Sequence, residues 1–166
     1  HLGSSEEELS YYTDEKYAHE IGNIQKTVDS YAKKYDTKIP IAVAGGIDTP
    51  QKVKHVLNLG VQAVQVGTRF VTTEECDADI RYKQAYIKAC KEDIVIVKSP
   101  VGMPGRAIKN TMLESVLRGE NIPPRKCYHC LAKCDPGKIP YCITKALIEA
   151  AKGNTEEGLL DRKSVV

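Results

Sequence analysis

Between residues 15 and 98, helix-like and strand-like patterns alternate, and this alternation constrains the fold more than any other feature of the chain. Ile21, Ile24, Val28, Tyr31, Ala32 and Tyr35 recur at spacings of three and four, which predicts a helix over residues 15–35 with one buried face. IPIAVA at 39–44 is short, apolar and rich in β-branched residues, so it predicts a strand covered on both faces. Thr49 as cap, Pro50 in the first turn, the stripe Val53, Val56, Leu57 and the stop at Gly60 delimit a second helix. VQAVQVG at 61–67 reads as the next strand, and Tyr82, Tyr86, Ala89 and Cys90 mark a helix at 78–91. DIVIVK at 93–98 is then a third strand. Parallel strands need a crossover between them, usually a helix, so the rhythm implies a buried parallel sheet.

Downstream the punctuation changes. KSPVGMPGRAIKN at 98–110 carries two prolines and two glycines and reads as a loop. A short helix from Thr111 to Arg118 follows, then a cysteine-bearing segment at 123–142. A helix at 141–152 places Ile143, Ala146, Leu147 and Ala150 on one face and stops at Gly153, and the polar tail at 154–166 reads as frayed. Three strands cannot close an eight-stranded barrel, which takes about 250 residues. The chain is therefore read as α/β: residues 1–110 form the C-terminal half of a TIM (β/α)8 barrel with parallel strands, and residues 111–166 form a small, helical, cysteine-containing segment packing on it. It opens on His1 rather than Met, which fits a fragment of a longer reading frame.

Composition removes some functions. The 166 residues carry a formal charge of +2, with basic residues scattered rather than striped, which speaks against nucleic acid. No apolar run approaches the ~20 residues that cross a bilayer, and no signal-peptide pattern opens the chain, so a cytoplasmic protein is expected.

Two stretches suit an anion. Gly45-Gly46, followed by Ile47-Asp48 and a capped helix, would bring bare backbone N–H groups and a helix dipole together where a phosphate can dock. The same pair also suits a tight turn that uses glycine for positive φ. At the end of the next expected strand, Gln65-Val66-Gly67-Thr68 adds a second exposed N–H and a hydroxyl, and successive strand ends of a βα barrel define one site. Arg69 fits either a phosphate or an ordinary ion pair, and Arg106 falls in the expected loop, where a solvated charge is one reading.

HLG at the start, PIAVAGGI, VQVGTRFVTTEEC, SPVGMPGRAIKN and PYCITKALIEAAKGNTEEGL together resemble the nitronate monooxygenase (2-nitropropane dioxygenase) family, which is related to flavin-dependent enoyl-ACP reductases. The resemblance implies an FMN-dependent barrel and a small-molecule substrate, with Gly3, Gly45, Gly46 and the run Gln65-Val66-Gly67-Thr68 around FMN. It makes His1 the catalytic acid/base, a role that suits imidazole because it exchanges a proton near neutrality. The reaction implied is oxidation of alkyl nitronates with dioxygen to carbonyl compounds and nitrite. The alternative is an enoyl-ACP reductase using NAD(P)H. A homodimer is expected, without nucleic acid or membrane.

Four of the six cysteines, Cys127, Cys130, Cys134 and Cys142, have a spacing compatible with zinc or an iron–sulfur cluster, with His129 inside the group. They also suit plain thiols filling apolar space. A metal-binding interaction module is the alternative of another class. His19 and His55 fall on expected helices and read as solvated or core residues.

Overall fold

The computed structural model describes residues 13–102, 104–132 and 134–161. The chain divides between Val66 and Gly67 into two compact units.

In the first unit, α1 (Asp14–Lys34) begins where the Thr13 hydroxyl accepts from the Lys16 N–H at 3.3 Å. Asp14 and Glu15 lie in its first turn and Lys33 and Lys34 in its last, each placed to favour the helix dipole. Strands β1 (Ala42–Ala44) and β2 (Ala63–Gln65) pair in parallel, with Ala42 opposite Ala63 and Ala44 opposite Gln65. Between them runs α2 (Pro50–Asn58), capped by Thr49 with proline in the first turn, as its sequence anticipates. Ile21, Ile47, Val56 and Val61 form the core, with Val43 and Val64 packed against it.

The strands are shorter than expected and are covered on one face, not two. They read Ala-Val-Ala and Ala-Val-Gln, and because side chains alternate along a strand only the valines face the core. Ala42, Ala44, Ala63 and Gln65 are exposed. Likewise α1 buries Ile21 but leaves Ile24 and Tyr31 at least half exposed, as is Tyr35 at its C-cap, and the two tyrosines stack on each other.

The second unit opens with the short α3 (Thr68–Val71), followed by α4 (Ile80–Lys88) and a 3-10 turn at Lys91–Asp93. Strand β3 (Ile94–Lys98) then pairs antiparallel with β4 (Pro104–Ile108), with Ile94 opposite Ile108 and Lys98 opposite Pro104. Two expectations change here: the third strand enters a hairpin rather than a parallel pair, and the expected loop holds a strand. Proline is tolerated at the first position of a strand, so Pro104 marks where β4 starts rather than excluding it.

Helices α5 (Thr111–Leu117) and α6 (Ile143–Ala151) complete the unit. Adjacent β4 residues enter different cores. Ala107 joins Val97, Leu113, Tyr141 and Ala146, whereas Ile108 joins Tyr86, Ala150 and Leu160. The stretch expected to fray is pinned through residue 161. Asn110 caps α5 by accepting from the Leu113 N–H at 3.0 Å, and its amide donates to the carbonyls of Thr155 and Gly158 at 2.6 and 2.7 Å. Ile108 N–H donates to the Leu160 carbonyl and Leu159 N–H to that of Ala146. Leu159 and Leu160 are consequently buried, which the acidic residues beside them hide from a composition reading.

Candidate functional site

The parallel register sets the first part of the site. Because Ala44 lies opposite Gln65, Gly45 and Val66 leave the two strands at the same edge. Gly45 and Gly46 have φ of +97° and +68°, a region that L side chains adopt only with strain, so both glycines are required by the backbone itself. A Cβ on either would meet nothing within 4 Å. The turn is therefore left-handed and open-faced, and a bound group can approach its main chain without displacing a side chain. Beyond it Ile47 is buried, which anchors the turn to the core. Asp48 is paired with Lys52 at 2.7 Å, so its charge is balanced beside a surface suited to an anion.

Gln65 ends β2 and is exposed, and Val66 packs against the core of the first unit. Gly67 and Thr68 follow along the chain and open α3, with Gly67 in the cap position. A Cβ on Gly67 would also meet open space. Arg69 is exposed and joins no ion pair among the described residues. His1 and Gly3 lie outside the described residues. His19 and His55 are exposed on α1 and α2.

Arg106 sits on β4 rather than in a loop, and its Nη2 is buried with no hydrogen-bond partner among the described residues. Tyr141 is fully buried in the adjoining core, where burial first and the Asp161 charge second push its hydroxyl up to about 12. It remains a neutral phenol. A buried tyrosine of this kind is hard to single out from sequence, because apolar surroundings made by residues 97, 107 and 159 are distant along the chain.

Cys127, Cys130, Cys134 and Cys142 line one cavity of about 30 Å³ together with His129. Burial pushes the Cys134 thiol up, and the Cys127, Cys130 and Cys142 thiols push it further. Among the described residues, no three His, Cys, Asp or Glu side chains are grouped closely enough to hold a metal ion as they stand. Among those same residues, no helix is long and apolar enough to cross a membrane.

Residues 9–165 match the protein family described as nitronate monooxygenase. A probable nitronate monooxygenase of Staphylococcus haemolyticus (strain JCSC1435) is 37% identical over 87 residues, covering 52% of this chain and 24% of that protein. The corresponding protein of Staphylococcus aureus (strain Newman) is 34% identical over 86 residues, with the same coverages. The chain therefore matches about a quarter of the length of these relatives. Among solved structures, FabK from Thermotoga maritima superimposes with a TM-score of 0.56 at 26% identity, over 76% of this chain and 37% of that one. The chain is thus an α/β segment with parallel strands that corresponds to part of a TIM barrel.

Proposed function

The chain belongs to the nitronate monooxygenase family, and on that premise we propose that the protein is an FMN-dependent oxidoreductase acting on alkyl nitronates. Each nitronate would take up one oxygen atom, derived from dioxygen, and leave as a carbonyl compound and nitrite. One observation carries the reading beyond family membership: a strand-end glycine pair, left-handed and open-faced, occurs where the resemblance expects FMN.

In this reading Gly46 and the run Gln65-Val66-Gly67-Thr68 hold the FMN phosphate end, Gly45 shapes the turn, and Gly3 adds a further contact. Backbone N–H groups bind phosphate well because they are fixed dipoles that need no reorganisation. FMN supplies the electron transfer when bound. The chain's own chemical contribution is His1, whose imidazole would take the α-proton of a parent nitroalkane to give the nitronate, or orient a nitronate already formed. A cytoplasmic setting completes the proposal.

The likeness to FabK favours a second reading, a flavin-dependent enoyl-ACP reductase in which NAD(P)H is the electron source. Two assays on the purified full-length protein separate them. Dioxygen uptake with nitrite release from an alkyl nitronate is expected for the first. Anaerobic NADH oxidation dependent on an enoyl thioester, without nitronate turnover, would replace it with the second.

A further inference from the structure

The segment between α5 and α6 contains no helix or strand among its described residues beyond an isolated bridge joining Ile122 to Tyr141. Connections this long without secondary structure are uncommon in compact domains unless they bind something or are cross-linked. Four cysteines from this one segment face one cavity: Cys127 and Cys130 from the first turn, Cys134 from the second, and Cys142 from the cap position of α6.

Thiols that merely fill apolar space are buried, yet Cys130 is exposed and Cys127, Cys134 and Cys142 are only partly covered. The first turn is shaped around sulfur. His129 holds φ at +51°, rare for a residue with a side chain, and its N–H donates to the Cys127 sulfur at 3.4 Å. On the other side the Cys130 sulfur lies 3.0 Å from the Thr144 hydroxyl. Such hydrogen bonds to sulfur are what supports and orients a thiolate ligand. Charge agrees: residues 124–142 carry Arg125, Lys126, Lys133 and Lys138 against Asp135 alone, a surplus that would offset four thiolates around a divalent ion.

We infer that Cys127, Cys130, Cys134 and Cys142 form a structural site for a single zinc ion. Four cysteines and no water make a closed tetrahedral set, the usual arrangement for zinc that staples a loop. The same four thiolates could hold an iron–sulfur cluster, which bound iron with acid-labile sulfide would reveal. Because the thiols are not yet grouped as a ligand set, loading draws the two turns together, and each thiol that binds releases its proton. No oxidation or reduction is involved.

The test uses the full-length protein expressed with zinc and desalted, with metal measured by elemental analysis. About one zinc per chain is expected, falling at least about tenfold in Cys130→Ser and Cys134→Ser, and unchanged in Cys90→Ser, which lies outside the cluster. Should the cluster variants fail to fold, cobalt(II) titrated into metal-free wild type gives an independent readout, the intense visible bands of tetrahedral thiolate coordination. Wild type without bound zinc and without those bands, zinc retained in both variants, or iron with acid-labile sulfide would each overturn the assignment. None of these outcomes depends on the flavin proposal.

Discussion

The two units of the chain reach their folds by different routes. The unit ending at Val66 is built from neighbours: one parallel strand pair separated by a single capped helix, with a core drawn from residues 17–66. The unit beginning at Gly67 is closed by distant partners. Its hairpin is flanked by residues about fifty positions later, through Asn110 to Thr155 and Gly158 and through Ile108 to Leu160. Among the described residues, the first unit therefore has one apolar core and an open, left-handed glycine turn. Among those of the second there are two cores that meet at β4, and little change is tolerated where the last segment crosses α6.

This contrast is sharpest at two glycines. A Cβ on Gly158 would sit 2.5 Å from the Ala150 Cα and N, which are helix backbone and cannot yield. Gly158→Ala is expected to cost at least about 3 kcal/mol by overpacking, measured by chemical denaturation. Loss of well under about 1 kcal/mol would show that the closing segment is not held as described. Asn110→Ala should follow at about 2–3 kcal/mol, since it removes a helix cap together with two hydrogen bonds to the same segment. In the first unit, Gly46→Ala meets no atom but forces an L residue to φ of +68°, for about 1–2 kcal/mol. Its distinguishing effect is on FMN retention, which should fall while the protein stays folded.

The smallest effect is electrostatic. Hydrogen bonds from Arg81, first from its side chain and then from its backbone, hold the Asp79 carboxyl down at about 2, below its ordinary value of 3.8. A carboxylate with a depressed native pKa stabilises the fold above the unfolded value and loses that contribution as pH falls through the native one. The stability difference between wild type and Asp79→Asn should therefore be flat above pH 3.8 and shrink toward pH 2, as followed by denaturation at each pH. Arg81 is exposed and Asp79 partly so, which screens the pair and keeps the difference small.

What could be read from sequence tracks the same contrast. Thr49, Pro50 and Gly60 delimited α2 because caps and stops are local chemistry, and Pro50–Asn58 is where it lies. The α1 stripe was recognisable by its period, but a period does not say which of its residues find cover, and Ile24, Tyr31 and Tyr35 do not. Strand β4 escaped because Pro104 and Gly105 resemble loop punctuation, and its pairing depends on Ile94–Lys98 ten or so positions earlier. The pinned stretch at 154–161 escaped because its partners are Asn110 and Ala146. At the candidate site, the Gly45-Gly46 pair was legible as composition, whereas its left-handed backbone and open face needed coordinates. The cysteine spacing was legible too, but the shared cavity, the His129 turn and the Thr144 contact were not.

The central claim, that the glycine turn and the run from Gln65 to Thr68 serve FMN, is tested most directly by the visible spectrum of the purified full-length protein, with the flavin released and quantified. The near-ultraviolet and blue bands of an oxidised flavin and about one FMN per chain are expected. A folded full-length protein that carries none and takes up none from added FMN would contradict it.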